Sequence, residues 1–177
     1  MSQEFISLAT GDFAKLFGAG EAEVETFCGA LVDKYDFGYR RLSPGERDEV
    51  ICRIVRRIDA GEFTVAGPNE AARWEVGWNE NLKLFKEGGY NPESLIPKYY
   101  RPNQPVRLFG DYAIPRDPRF QLQYADVFLA WLFKKYLSDV PMVYEFGCGT
   151  GWNLVALAKL FPDKELHGLD WVGAPKE

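Results

Sequence analysis

Apolar positions recur every three to four residues through much of the first half of the chain, the spacing of helices that bury one face. From Glu21 onward, Val24, Phe27, Cys28, Leu31, Val32 and Tyr35 form one such stripe, with a stop expected near Gly38. Asp12 to Phe17 fits a shorter helix ahead of it. Ser43-Pro44-Gly45-Glu46 carries the capping-box pattern with proline at the first helical position. Behind it, Val50, Ile51, Ile54, Val55 and Ile58 make a second stripe, closed by Gly61. Arg53, Arg56 and Arg57 occupy its other side, as a solvated face or a surface for a partner or anion. A third long helix is expected from Glu70 to Glu87, with Trp74, Trp78, Leu82 and Phe85 on one side and Gly88-Gly89 at its end. An aromatic stripe of this kind reads first as core and second as a substrate-facing wall. The stripes of Val24, Ile54 and Trp74 are expected to bury one another.

The pattern then breaks. Six of the eleven prolines fall between Pro92 and Pro118, a density that forbids a long helix and favours extended connectors and turns. Val106 to Phe109 and Tyr112 to Ile114, joined through Gly110-Asp111, fit a small hairpin. The same segment interleaves Lys98, Arg101, Arg107, Arg116 and Arg119 with Tyr99, Tyr100, Phe109, Tyr112 and Phe120. Two readings stand: a loop ordered by aromatic packing, or a strap that closes over a ligand. Helical spacing resumes after Asp117-Pro118, with Tyr124, Val127, Phe128, Trp131 and Leu132 facing inward. The division between a helical region, residues 1–117, and a second unit, residues 118–177, is therefore soft.

In that second unit the period changes to a short apolar run, Val140 to Phe146, then Gly147-Cys148-Gly149-Thr150-Gly151, then a helix carrying Leu154, Leu157, Ala158 and Phe161. A second strand ends in Gly168-Leu169-Asp170-Trp171. Strand, glycine turn, helix and strand ending in an acid form the front half of a nucleotide-type cofactor site. Glycine lets the chain turn sharply and a ligand approach the backbone, and the helix start offers free N–H groups. Asp170 can accept both hydroxyl protons of a ribose, and Trp171 can lie against a flat base. Trp152 stands where a dinucleotide fingerprint wants glycine. Glu145, just before the turn, suits an ammonium group better than a pyrophosphate.

Composition narrows the class without changing it. The chain has 177 residues, 46% hydrophobic and 27% charged, with a net charge of −5, so a nucleic acid is not an expected partner. No apolar run approaches the roughly 18 residues needed to cross a bilayer, and no signal peptide is visible. Three scattered cysteines (Cys28, Cys52 and Cys148) suggest neither a disulfide framework nor a metal knuckle and suit a cytoplasmic location. His167 is the only histidine, which argues against Ser-His or Cys-His catalysis and against a metal site. Cys148 reads as a small residue offering its backbone N–H, and His167 as a packed side chain.

Glu145-Phe146-Gly147-Cys148-Gly149-Thr150-Gly151 and Asp170 together resemble motif I and the following acidic motif of class I S-adenosylmethionine-dependent methyltransferases. The resemblance covers the C-terminal stretch from Val140 to Trp171. It implies an α/β fold in which the helical region precedes the first β-α-β of a Rossmann-like sheet, and it implies S-adenosyl-L-methionine as cofactor. By that resemblance Gly147, Cys148, Gly149 and Gly151 border the methionine part, Glu145 holds its amino group, Asp170 binds the ribose and Trp171 packs on the adenine. The acceptor is expected to be a small molecule, and no catalytic residue is assigned. A complete class I domain carries further strand–helix units, so the chain reads as the N-terminal portion of such an enzyme. It is expected to self-associate and to lack turnover alone. The rivals are a nicotinamide- or flavin-dependent oxidoreductase and a non-catalytic interaction fragment.

Overall fold

The computed structural model describes residues 4–62 and 70–173. Helix α1 (Thr10–Phe17) ends at Gly18 in the left-handed region, φ 66°, and helix α2 (Glu21–Lys34) packs against it. The stop expected near Gly38 falls earlier, because Tyr35 is already extended and Gly38 opens a strand. That strand, β2 (Gly38–Arg41), pairs antiparallel with the short β1 (Ile6–Ser7). Neither strand is long enough to show an alternating pattern in sequence. The hairpin forms where its sequence places it, as β3 (Val106–Leu108) and β4 (Asp111–Pro115), with Phe109 and Gly110 at positive φ in the turn. β4 joins β2, giving a four-stranded antiparallel sheet in the order β1-β2-β4-β3. A two-pronged ion pair fixes this junction: both Nε and Nη2 of Arg116 donate to Asp36 at 2.6 Å.

Helix α5 (Phe120–Tyr136) begins three residues after Asp117, whose carboxylate accepts from the Arg119 N–H at 2.6 Å and the Gln123 side chain at 3.0 Å. Its inner face closes the main core. Phe13, Val24, Phe37, Phe120 and Val127 are the largest fully buried side chains, drawn from α1, α2, the loop before β2, and α5. Edge-on contacts of Phe13 and Phe120 with Phe37 knit these elements together, at 4.8 and 5.5 Å between ring centroids. The core thus spans both sides of residue 117.

Helix α3 (Pro44–Asp59) departs from expectation. Its capping box forms, with Ser43 Oγ accepting from the Glu46 N–H and Glu46 accepting from the Ser43 N–H. Of its stripe, however, only Val50 is buried, while Val55 and Ile58 are exposed. The stripes of Val24, Ile54 and Trp74 do not bury one another, because α1 and α5 pack beside α2 instead. Helix α4 (Glu70–Glu87) turns its tryptophans elsewhere, and a 3-10 turn (Pro92–Leu95) follows it. Asn81 holds the two together by donating to the carbonyls of Ser94 and Ile96 at 2.7 and 3.1 Å.

The last three elements are β5 (Met142–Phe146), α6 (Trp152–Leu160) and β6 (Glu165–Leu169). β5 and β6 pair in parallel, from Met142 opposite Glu165 to Phe146 opposite Leu169. This is the connection that a parallel pair requires, a crossover through a helix. The molecule is therefore mixed α/β, with an antiparallel sheet and a separate two-stranded parallel sheet. Among the described residues no helix is long and apolar enough to cross a membrane.

Candidate functional site

The glycine turn joins the end of β5 to the start of α6. Gly147, Gly149 and Gly151 all have positive φ, at 73°, 55° and 74°, a region that costs other L-residues roughly 1–2 kcal/mol. The turn is tied to the end of β6 from two directions. The Gly147 and Cys148 N–H groups donate to the Leu169 carbonyl at 2.6 and 3.2 Å. Asp170 Oδ2 accepts from the Gly149 N–H at 2.9 Å, and its Oδ1 accepts from the Val172 N–H at 3.0 Å. The acid after β6 thus braces the turn, with acceptor capacity left on both oxygens.

Glu145 lies on the α6 side of β5, one pleat before the turn. Asn153, in the first turn of α6, donates to its Oε1 at 2.7 Å, while Oε2 is buried without a hydrogen-bond partner among the described residues. Burial pushes the Glu145 carboxyl above its ordinary range, and the Asn153 hydrogen bond only partly offsets this. Thr150 Oγ1, in the turn itself, is likewise buried and unpartnered. A carboxylate oxygen that no protein donor satisfies is costly, and a cationic or N–H-bearing ligand relieves it.

A pocket of about 280 Å³ opens here. Its walls include Glu145, Gly147, Cys148, Gly149, Thr150, Asn153, Asp170 and Trp171 from the parallel unit. Trp74 and Trp78 of α4, with Pro97 and Tyr99, close the other side. The tryptophan stripe of α4 is thus a wall of this pocket rather than part of the main core. Trp74 and Trp78 stack at 5.2 Å between ring centroids, and the Trp78 ring lies so close to Gly149 that a Cβ there would meet it at 2.9 Å. Glu75 fastens α4 to the parallel unit by accepting from the Gly173 N–H at 2.8 Å. A neighbouring cavity of about 270 Å³ shares Trp78, Cys148, Gly149 and Thr150 with the first, so the indole divides the space along the turn.

Six of the seven residues singled out in sequence (Glu145, Gly147, Cys148, Gly149, Asp170 and Trp171) meet in the first pocket, and Gly151 lines the neighbouring cavity. The basic-aromatic segment divides. Tyr99 reaches the pocket, Lys98 pairs with Glu80, Arg116 pairs with Asp36, and Phe120 enters the core. Cys148 is held neutral: burial, then the charges of Asp170 and Glu145, push its thiol up. His167 stacks on Tyr144 at 4.6 Å and contacts Glu165, on the far face of the sheet from Glu145.

Asn153 and Thr150 carry no ligand-facing reading in sequence, whereas Trp78, read first as core, takes the second reading of its stripe, a wall of the pocket. For Asn153 a signal exists, since side chains in a helix's first turn point back toward its N-terminus, here toward the end of β5. Among the described residues no group of three or more His, Cys, Asp or Glu could hold a metal ion. No protein-family model, no curated protein and no solved structure matches the chain.

Proposed function

We propose that the glycine-turn pocket binds S-adenosylmethionine and that the chain serves methyl transfer to a small-molecule acceptor, on a sheet of the Rossmann-like type. The observation that carries this is Glu145: a half-buried carboxylate, oriented by Asn153, with one oxygen lacking a partner among the described residues, at the edge of a glycine turn and among aromatic rings. The cofactor's ammonium group complements that oxygen, and its sulfonium is attracted by aromatic faces, at about 0.5–2 kcal/mol per contact. Asp170 has acceptor capacity for ribose hydroxyls, and Trp171, 71% exposed beside Gly147, offers a ring to the adenine. The buried indole of Trp152 at the start of α6 leaves poor room for a pyrophosphate, which weighs against a dinucleotide.

The fit has one condition. Small-molecule sites usually span about 300–1,000 Å³, so the first pocket alone is tight. Turning Trp78 aside would join it to its neighbour and uncover Gly149. When bound, the cofactor supplies a methyl group already activated on sulfur. The chain's part is then to hold it by Glu145 and Asp170, to exclude water with Trp74, Trp78 and Tyr99, and to leave the methyl open to an acceptor. Cys148, held as a thiol, is no nucleophile here, and His167 lies on the wrong face to be the base.

Calorimetry with S-adenosylmethionine on the wild type and on the Glu145→Gln and Asp170→Ala variants tests the assignment. Loss of charge-assisted hydrogen bonds worth about 1.5–3 kcal/mol each should weaken binding roughly tenfold or more in either variant. Wild-type affinity in both would remove the proposal.

A further inference from the structure

A second and larger cavity, of about 530 Å³, lies between α2, α5 and α6, away from the glycine turn. Apart from Glu93 and Arg119, which line it and pair with each other, its polar groups are sorted by type. On α5, Gln123 and Asp126 stand one helical turn apart, on one face, and both are acceptors. Gln123 is 9% exposed; its amide nitrogen donates to Asp117, and its Oε1 has no partner among the described residues. Asp126 accepts from the Tyr35 hydroxyl through Oδ2 at 3.1 Å, and among the described residues no donor takes its Oδ1.

The facing walls carry donors. Lys34 at the end of α2 and Lys159 on α6 form no ion pair among the described residues; each rests over an aromatic ring, Tyr35 at 5.4 Å and Trp152 at 5.6 Å. The Trp152 indole N–H is buried and unpartnered. Arg119 is already engaged, with Glu93 at 3.6 Å. Between the two polar sets the lining is aliphatic: Leu31, Leu122, Leu129 and Leu160.

We infer that this cavity is a ligand site for a small zwitterion of the amino-acid class with an apolar side chain. The carboxylate meets Lys34, Lys159 and the Trp152 N–H, the ammonium meets Asp126 and Gln123 Oε1, and the side chain lies against the leucines. A purely anionic ligand would leave Asp126 facing like charge, and a purely cationic one would gain nothing from the two lysines. The site does not depend on what fills the glycine-turn pocket, since only Trp152 borders both.

The test is titration of the full chain, by calorimetry and ligand-observed NMR, with L-phenylalanine, L-leucine, phenylacetate and phenethylamine. At least one amino acid should bind more tightly than either half-probe. Asp126→Asn should weaken that amino acid about tenfold while sparing phenylacetate, and the double variant Lys34→Met, Lys159→Met should weaken it similarly while sparing phenethylamine. Both lysines are exposed, so the double variant keeps its fold even if Asp126→Asn does not, and a thermal melt of each variant checks this. If neither amino acid saturates the folded wild type by about 10 mM, or if the folded double variant binds it unchanged, the site is not there.

Discussion

Glu145 holds a half-buried carboxyl whose pKa burial has raised, and one of its oxygens has no partner. A carboxyl raised on folding binds its proton more tightly in the native state. Its contribution to stability is therefore present at low pH and lost as pH rises through the folded value. Glu145→Gln should raise the thermal midpoint of the ligand-free protein at pH 7 while weakening cofactor binding, the trade expected of a residue kept for function. A lower midpoint, measured by calorimetric scanning, would mean that Glu145 serves the fold. At Gly149 the backbone and the Trp78 ring act together. Gly149→Ala should cost about 1–2 kcal/mol from positive φ alone, and more from the ring, read as a shift in the urea midpoint. The glycines and Asp170 were legible in sequence because each answers a local demand of the turn. Trp78 was legible only as one ring of an aromatic stripe, because the glycine it packs on lies some seventy residues away in the chain.

At the scale of elements, α3 shows how far local signals reach. Its capping box was readable, since Ser43 and Glu46 satisfy one another within four residues. The Arg40 guanidinium and the Ser43 groups hold the partly exposed Glu46 carboxyl down to about 2. Depressed on folding, that carboxyl stabilises the helix above its unfolded value and ceases to as pH falls toward 2. Ser43→Ala should cost about 0.5–2 kcal/mol, visible in the thermal midpoint, and the deficit should shrink in acid. A deficit unchanged between pH 6 and pH 2 would separate the cap from that charge. The strands β1 and β2 escaped notice because two and four residues show no period, and their pairing is set by Arg116, Asp36 and the hairpin. The stripe of α4 was visible as aromatic, but its spacing could not tell core from pocket wall. Trp78→Ala should enlarge the pocket and speed cofactor association in stopped-flow traces; an unchanged rate would show that the indole is no barrier.

Across the whole molecule, the main core gathers α1, α2, α5 and the antiparallel sheet, while the parallel sheet leaves one face open. Met142, Tyr144 and Phe146 point outward from β5, and Phe146 is 80% exposed. Exposed apolar faces of this kind lower solubility. Phe146→Ser should raise the ammonium sulfate concentration at which the chain precipitates without lowering its thermal midpoint, and loss of stability instead would show that the ring is packed in solution. The central claim, that the glycine-turn pocket recognises S-adenosylmethionine, is tested most directly by titrating the folded chain side by side with S-adenosylmethionine, its demethylated product and NAD in a calorimeter. Saturable binding of the first two, with no saturation by NAD at the same concentrations, is the predicted result. Preferential binding of NAD, or no binding of either sulfur compound up to about 1 mM, would contradict it.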